Sequence, residues 1–171
     1  MTTVFTTMDS PLGTLLLSGT LDEEHGFALA AVTAPGQKGA LAEPAADWQP
    51  DAEALAPAVE QLTAYFAGER TTFDLPLAPV GTEFRRRIWD ALDDIPYGTT
   101  TTYGRLTDAA GQSPRAVRAV GGAVGANPLL IIRPCHRVMG ANGNLTGFAA
   151  GIDAKRWLLA HESSKESGQL F

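Results

Sequence analysis

The chain has a single cysteine among its 171 residues. One cysteine excludes an internal disulfide and any metal site built from clustered cysteines. A reactive thiol survives best in a reducing compartment, and the first residues lack the basic and apolar regions of a signal peptide. No apolar run approaches the length needed to cross a membrane. We therefore expect a cytoplasmic protein with no membrane partner, no metal and no cofactor.

Basic residues are scarce in the first half of the chain. Residues 1–82 hold 2 basic and 11 acidic residues, a net charge of −9, whereas residues 83–160 hold 10 and 6, a net charge of +4. The overall charge of −6 therefore hides a basic C-terminal part. This asymmetry fits a protein that meets nucleic-acid phosphates with one face only, and chance clustering in a short chain is the alternative.

The N-terminal part carries the pattern of a small antiparallel sheet. Two β-rich runs, Val4–Met8 and Thr14–Ser18, flank the segment Ser10–Gly13, whose proline and glycine suit a type I turn. Phe27–Val32 is a third candidate strand. The Ala, Pro, Gly and acidic composition of residues 33–50 then indicates a loop.

One amphipathic helix is predicted before a domain boundary. Its apolar residues fall at i, i+4, i+7 and i+11, namely Leu55, Val59, Leu62 and Phe66. Pro57 is expected in its first turn and Gly68 at its end. Residues 69–81 lack helical period and are predicted to be an extended connection. The predicted division is an N-terminal α/β domain, a C-terminal domain and a flexible tail, at residues 1–80, 81–163 and 164–171.

Two short helices joined by a glycine turn predict a helix-turn-helix motif. The first, Tyr103–Ala110, closes at Gly111, and the second starts with Ser113 as its cap and Pro114 at its first position. A preceding helix capped by Thr82 is expected to bury its apolar face.

The second of these helices has unusually small side chains over residues 115–123. Small side chains allow close approach either to a neighbouring helix or to a DNA groove. Because Arg115 and Arg118 lie on the same helix, we favour DNA.

The cysteine follows an apolar run and a proline. Pro134 fixes its own backbone angle and favours extended geometry at Arg133, so Cys135 is expected on a stiff, non-helical segment. Cationic neighbours lower the pKa of a thiol, and the thiolate is the nucleophilic form, so we predict a reactive cysteine. A small buried hydrophobe is the alternative.

The residues around the cysteine are predicted to be irregular. Over residues 127–147 we expect an extended stretch at Leu129–Ile132 and a hairpin-type turn at Asn142-Gly143. A last helix is expected from about Asp153 to Glu162.

The segment Pro134-Cys135-His136-Arg137-Val138, with Asn127-Pro128 upstream, resembles the active-site signature of the O6-alkylguanine-DNA alkyltransferases, or methylated-DNA-protein-cysteine methyltransferases. Further similar segments are Ile95-Pro96-Tyr97-Gly98, Tyr103-Gly104, Arg118–Ala123 and Leu158–Glu162. The resemblance covers about residues 80–162 closely. It implies an α/β (α+β) fold in which a small ribonuclease H-like, antiparallel-sheet domain precedes a mostly helical domain carrying the active-site loop.

The resemblance implies DNA repair by direct damage reversal. O6-Alkylguanine, chiefly O6-methylguanine and also O4-methylthymine, would be flipped out of duplex DNA, and its alkyl group would pass irreversibly to Cys135 in a single turnover. His136 would act as base through a water and Glu162 would orient it, with His161 as a rival partner. Tyr103 would meet the 3′ phosphate and guanine N3, and Asn127 would be the hinge behind the active-site loop.

The resemblance also implies a DNA interface and a base pocket in a monomer without an obligate protein partner. The DNA is double-stranded and bound through its minor groove, with Arg118 replacing the flipped base. The interface residues are Arg118, Tyr103, Arg115, Ala119, Gly121 and Arg105. The pocket residues are Pro134, Val138, Phe148, Ala149 and Ala150. The carbonyls of Cys135 and Val138 would accept from the guanine amino group, and an amide near Ala149 would donate to O6.

Three positions depart from the family pattern. Arg133 occupies a commonly aliphatic place, where it would either lower the pKa of Cys135 or face solvent. Arg105 stands where relatives often have an acid, which would strengthen DNA binding. Ala149-Ala150-Gly151 replaces a loop richer in glycine or serine and would narrow the pocket against bulky adducts.

Three other functions compete with alkyl transfer. An alkyltransferase-like damage sensor binds and flips without transfer, but it has tryptophan in place of the nucleophile. A cysteine hydrolase using Cys135 and His136 would leave Arg118 and the basic half unexplained. A helix-turn-helix regulator would leave the cysteine segment unexplained.

Overall fold

The chain folds into two compact units in a computed structural model. The structure describes residues 1–41, 43–145 and 148–169, with residues 164–169 described by their backbone alone. The first unit comprises Met1–Val80 and Pro128–Ile132, and the second comprises Gly81–Asn127 and the chain from Arg133 onward. Within the described ranges, no helix combines the length and the apolar character that a bilayer crossing needs.

The first unit is built on a four-stranded sheet with the strand order β3-β2-β1-β4. The strands are β1 (Thr2–Met8), β2 (Leu15–Asp22), β3 (Gly26–Thr33) and β4 (Gln49–Pro50). The first three strands pair antiparallel, and β4 pairs parallel to β1. The predicted hairpin is confirmed, since the Gly13 amide donates to the Ser10 carbonyl at 2.9 Å. The sequence did not predict β4, because two residues that include a proline carry no strand pattern.

The helix of the first unit, α1 (Ala52–Phe66), packs on this sheet. It begins before Pro57, so the prediction that Pro57 marks its first turn is wrong. Asp51 caps the helix instead, because its carboxylate accepts from the Ala54 amide at 3.0 Å. The buried side of α1 consists of Leu55, Ala58, Leu62 and Tyr65.

The segment Pro128–Ile132 lies beside β3, where the Val32 amide donates to the Pro128 carbonyl at 2.8 Å. Only Leu129 forms a β-bridge, so the predicted extended stretch through Ile132 is wrong. Ile131 has a φ of 72°, in the left-handed region, and is 1% exposed. That conformation costs a β-branched residue about 1–3 kcal/mol and turns the chain just before the cysteine segment.

Helices form most of the second unit. They are α2 (Glu83–Leu92), α3 (Tyr103–Ala109), α4 (Val117–Gly125) and α5 (Ile152–Gln169). The predicted caps at Thr82 and Ser113 are confirmed, and Gly111, with a φ of 72°, makes the turn between α3 and the 3₁₀ turn that precedes α4. The Trp89 indole on α2 donates to the Ala123 carbonyl on α4 at 2.7 Å and joins these two helices.

Two short strands bring the start of α3 to the cysteine segment. β5 (Thr101–Thr102) leads directly into α3, and β6 (Val138–Met139) follows directly after the cysteine turn. The two strands pair in parallel, with Thr101 opposite Val138. The helix-turn-helix and the cysteine segment are therefore held together by backbone hydrogen bonds.

The end of the chain differs from the prediction. α5 begins one residue before the expected start and continues to Gln169, beyond the expected end at Glu162. The predicted tail, 164–171, ends in residues 170 and 171, which lie outside the described residues. Residues 146 and 147, at the end of the predicted irregular segment, also lie outside them.

Candidate active site and nucleic-acid interface

Cys135 begins a single 3₁₀ turn, Cys135–Arg137, and is 5% exposed. Its amide donates to the Arg133 carbonyl at 2.8 Å, and the Arg137 amide donates to the Pro134 carbonyl at 3.0 Å. These bonds fix the backbone on both sides of the thiol. The stiff, non-helical segment that the proline predicted is replaced by this tight turn.

Asn127 connects the end of α4 to the cysteine turn. Its side chain is buried, and its Nδ2 donates to the Arg133 carbonyl at 2.9 Å. The same side chain lies within hydrogen-bonding reach of the Cys135 thiol, whose pKa it lowers. This geometry suits the hinge role expected for Asn127.

Burial dominates the chemistry of the thiol. It raises the pKa of Cys135 to about 11, and the Asn127 hydrogen bond and the charge of Lys155 offset it only in part. The expectation that Arg133 and Arg137 lower this pKa is therefore wrong. Both guanidinium groups bind carboxylates instead. At neutral pH the free protein holds a neutral thiol.

His136 and Glu162 form a buried pair next to the thiol in sequence. His136 Nε2 lies 2.7 Å from Glu162 Oε2, and the two residues are 0% and 1% exposed. Arg137 binds the same carboxylate from its Nε at 2.8 Å and its Nη2 at 3.1 Å. His161, the rival partner, stacks on the Trp157 ring at a centroid distance of 4.8 Å. The structure therefore pairs Glu162 with His136.

The electrostatics of this pair leave the histidine neutral. Burial opposes the charge of Glu162, but hydrogen bonds from His136 and Arg137 outweigh it and hold the pKa of the carboxyl below its usual range. Burial lowers the pKa of His136, against the opposing effect of Glu162. With Nε2 turned to Glu162, Nδ1 has no hydrogen-bond partner among the residues that the structure describes. His136 Nδ1 is thus the ring nitrogen that can accept a proton.

Lys155, which sequence reasoning missed, is a buried cation of this site. It is 0% exposed, and its Nζ donates to the Val138 carbonyl at 2.6 Å. Burial lowers the pKa of Lys155, and the nearby Cys135 thiol raises it. A signal was present in the sequence, because Lys155 precedes Glu162 by two helical turns and so shares its face of α5.

Arg133 takes a position that neither sequence interpretation foresaw. Its side chain is 9% exposed and forms ion pairs with Asp90 at 3.0 Å and with Asp93 at 3.5 Å. It therefore neither faces solvent nor lowers the pKa of Cys135.

The outer face of α4 is both basic and small. Arg118 and Ala119 on α4 are exposed, whereas Val120, Ala123 and Val124 are buried on the opposite side. Arg115 is exposed on the 3₁₀ turn that precedes α4, so the prediction that it shares a helix with Arg118 is wrong. Arg105 is exposed on α3. Gly121 lies near the half-buried Tyr103, since a Cβ added at Gly121 would be 3.9 Å from the Tyr103 ring. Such a face can approach a nucleic-acid groove closely and carries the positive charge to do so.

The expected pocket residues differ in burial. Pro134 and Val138 are buried, and Phe148, Ala149 and Ala150 are half-buried. The Phe148 ring lies 6.0 Å from Lys155 Nζ, which connects this segment to the cation beside Cys135. Among the described residues, no three His, Cys, Asp or Glu side chains are grouped to hold a metal ion.

Known proteins share both halves of this chain. Residues 83–164 match the 6-O-methylguanine DNA methyltransferase, DNA binding domain, and residues 3–79 match the ribonuclease-like domain of the same enzyme. The methylated-DNA–protein-cysteine methyltransferase of Mycobacterium tuberculosis is 48% identical over 97% of this chain and 96% of its own length. The protein of that name from Methanosarcina acetivorans is also 48% identical, over 91% of this chain and 96% of its own.

A solved structure agrees with these relatives. The crystal structure of Mycobacterium tuberculosis OGT in complex with DNA has a TM-score of 0.84 and 48% identity, covering 95% of this chain and 94% of that one. A helical DNA-binding domain that carries a buried cysteine and follows a ribonuclease-like domain along the chain is typical of the DNA-repair alkyltransferases. The chain belongs to the methylated-DNA–protein-cysteine methyltransferase family. The predicted family, fold class and enzyme class are thereby confirmed.

Proposed function

We propose that this protein flips O6-alkylguanine, chiefly O6-methylguanine and also O4-methylthymine, out of duplex DNA and transfers the alkyl group to Cys135 once per molecule. The observation that carries the proposal is the buried arrangement of a thiol, the Asn127 amide and a His136–Glu162 pair. Nucleophile, base and orienting group are the parts that activate a weak nucleophile.

The proposed reaction starts with deprotonation of the thiol. The proton of Cys135 passes through a water to His136 Nδ1, while Glu162 holds the other ring nitrogen. The thiolate attacks the alkyl carbon, the carbon–sulfur bond forms, and the bond from carbon to guanine O6 breaks with its electron pair left on the base. Tyr103 would give its hydroxyl proton to guanine N3, and the proton held by His136 would return through water to the tyrosinate, so that the thiol proton replaces the alkyl group on guanine. The resulting thioether has no reductive route back, so the protein acts in a single turnover.

Flipping is required because the O6-alkyl group lies inside the duplex. We place α4 in the minor groove, where its small exposed residues permit close approach and Arg118 fills the gap left by the base. Tyr103 would crowd the 3′ phosphate, and Arg115, Arg105, Ala119 and Gly121 would complete the interface. The structure of the Mycobacterium tuberculosis relative in complex with DNA supports the DNA binding on which this proposal depends.

The flipped base would lie against a pocket formed by Pro134, Val138, Phe148, Ala149 and Ala150. The Val138 carbonyl already accepts from Lys155, and its second lone pair would accept from the guanine amino group, as would the Cys135 carbonyl. An amide near Ala149 would donate to O6. We further propose that residues 81–163 carry both DNA binding and transfer, and that the protein acts in the cytoplasm as a monomer without an obligate protein partner.

A stoichiometric assay tests single-turnover transfer. Protein is mixed with about ten equivalents of duplex containing O6-methylguanine, and the number of repaired guanines per protein molecule is measured. We expect the count to stop at about one. Continued turnover would contradict the thioether mechanism. Tight binding of the damaged duplex without any repair would instead identify a damage sensor.

A further inference from the structure

Arg133 carries a buried positive charge two residues before Cys135. Its Nη2 donates to Asp90 Oδ1 at 3.0 Å, and its Nε lies 3.5 Å from Asp93 Oδ1. The guanidinium side chain is 9% exposed, whereas the side chains of Asp90 and Asp93 are 70% and 49% exposed. Two carboxylates at the end of α2, both open to water, thus hold a cation that is shielded from water.

The backbone of Arg133 is hydrogen-bonded both to the nucleophile segment, at Cys135, and to the hinge residue, Asn127. Its carbonyl accepts from the Cys135 amide at 2.8 Å and from Asn127 Nδ2 at 2.9 Å. A carbonyl oxygen has two lone pairs, so these bonds use its full capacity. Any displacement of Arg133 therefore moves the nucleophile and the hinge amide together.

We infer that Arg133 is a positioning residue for alkyl transfer in this chain. Its ion pairs with Asp90 and Asp93 hold its carbonyl, and through that carbonyl the thiol of Cys135, in the geometry that transfer needs. The inference rests on the proposed function, because the reaction that the geometry serves is the transfer proposed above. The structural basis is the ion pair of the Arg133 side chain with Asp90 on α2, combined with the two hydrogen bonds that the Arg133 carbonyl accepts from Cys135 and Asn127.

The difference in exposure predicts an order among variants. Arg133→Met removes the charge and keeps most of the apolar stem, so it loses the anchor alone. Changing both Asp90 and Asp93 to asparagine leaves a buried guanidinium without a countercharge, which is more disruptive than removing the pair. The triple variant combines Arg133→Met with both asparagine substitutions and so lacks charge on both sides of the ion pairs. Its loss of transfer rate should therefore equal that of Arg133→Met alone, not the sum of the losses of Arg133→Met and the double asparagine variant.

Transfer kinetics in the full-length protein test this order. At saturating duplex containing O6-methylguanine, we expect Arg133→Met to lower the transfer rate constant about tenfold, with DNA affinity unchanged, because small displacements of reacting groups have large rate effects. The double asparagine variant should be slower still, and Arg133→Lys should recover part of the rate. Arg87→Met is the matched control, because Arg87 forms an exposed pair with Glu83 on the same helix.

A thermal unfolding measurement on each variant separates positioning from stability. If Arg133→Met lowers the unfolding temperature but the folded protein transfers at the wild-type rate, the ion pairs only stabilise the fold and the inference is overturned. The inference is also overturned if the triple variant loses as much transfer rate as Arg133→Met and the double asparagine variant lose together.

Labelling of Cys135 by iodoacetamide gives a readout that does not depend on methyl transfer. With the anchor lost, the turn opens more often, and at one fixed pH we expect labelling about tenfold faster, which corresponds to about 1.4 kcal/mol of local opening free energy. Arg133→Lys should restore slow labelling. If the wild-type protein transfers no methyl group, the proposed function fails, and unchanged labelling across the variants would then refute the positioning role separately.

Discussion

Glu162→Gln removes the negative charge that binds both His136, the proposed general base, and the neighbouring Arg137. The carboxylate accepts from His136 at 2.7 Å and from Arg137 at 2.8 and 3.1 Å, and Glu162 is 1% exposed. Breaking a buried ion pair by removing one partner costs about 3–5 kcal/mol. Since glutamine keeps the shape and one acceptor oxygen, we expect a loss of about 3 kcal/mol, the lower end of that range.

This loss is large enough to measure by thermal unfolding. In a protein of this size, each kcal/mol lowers the unfolding temperature by about 2–4 °C, so the variant should unfold about 6–12 °C below wild type. Glu83→Gln is the matched control, because Glu83 is 86% exposed in its pair with Arg87. Its unfolding free energy should change by less than about 0.5 kcal/mol.

The pH dependence gives a second test of the same carboxylate. Its pKa is depressed in the folded protein, so its stabilisation is complete above the unfolded value, near pH 4.5, and is lost as pH falls through the folded value. The stability difference between wild type and Glu162→Gln should therefore shrink in acid. His136, whose pKa burial lowers, is neutral when folded, so both proteins should lose stability as pH falls below about 6.5.

Urea unfolding at a series of pH values, from neutral to well below the unfolded pKa of the Glu162 carboxyl, measures both effects. The variant should also transfer methyl at least a hundredfold more slowly (about 10²-fold), because the base loses its orienting partner. Equal unfolding midpoints for wild type and variant at neutral pH would refute the reasoning, as would a difference that stays constant down to low pH.

Four further predictions concern the thiol, its neighbour Lys155, the DNA interface and the base pocket. In DNA-free protein, iodoacetamide labelling of Cys135 should accelerate up to about pH 11, and complete labelling at neutral pH would contradict the burial of a neutral thiol. Lys155→Met should raise the pKa of Cys135 further, as read from the pH dependence of labelling, and should slow transfer about tenfold, which corresponds to about 1.4 kcal/mol. An unchanged pH profile of labelling would exclude stabilisation of the thiolate by the charge of Lys155. DNA affinity should fall steeply with salt, and Arg115→Ala should reduce the slope of log affinity against log salt by about 1, whereas salt-independent binding would argue against this interface. If the methyl groups of Ala149 and Ala150 narrow the proposed pocket, O6-methylguanine should be repaired faster than O6-benzylguanine in single-turnover assays, and equal rates would contradict that proposal.

The helix-turn-helix could be predicted from sequence because its signals are local. Ser113 and Gly111 each act on an amide or a backbone angle within three residues of themselves, and the structure uses both as predicted. The same holds for Thr82, which caps the preceding helix α2. The pair of His136 and Glu162 was predicted through family resemblance. No local pattern joins residues 26 positions apart.

The positions of the charged side chains could not be predicted in the same way. Arg133 and Arg137 are neighbours of Cys135 in sequence, but each guanidinium turns toward a carboxylate contributed by another helix. Asp90 lies 43 residues from Arg133 in sequence. At that separation the order of the residues does not indicate that the two side chains form an ion pair. Proximity in sequence therefore predicted a low thiol pKa, whereas burial in the folded chain raises it.

Long-range packing also decided where the backbone departed from its pattern. The left-handed Ile131 has no sequence signal, because β-branched residues disfavour that conformation. It lies two residues after Leu129, which forms a β-bridge with Val32 on β3. The early start of α1 has a local cause instead, because Asp51 caps the helix by accepting from the Ala54 amide, and the apolar stripe alone does not locate that cap.

Intact mass spectrometry after mixing equimolar protein with an oligonucleotide containing O6-methylguanine tests the central claim most directly. Peptide mapping then locates the adduct. We expect a gain of one methyl group, about 14 Da, on the peptide that contains Cys135, together with loss of the methyl group from the DNA. An unchanged mass, or a methyl group on any other residue, would contradict the assignment of Cys135 as the alkyl acceptor.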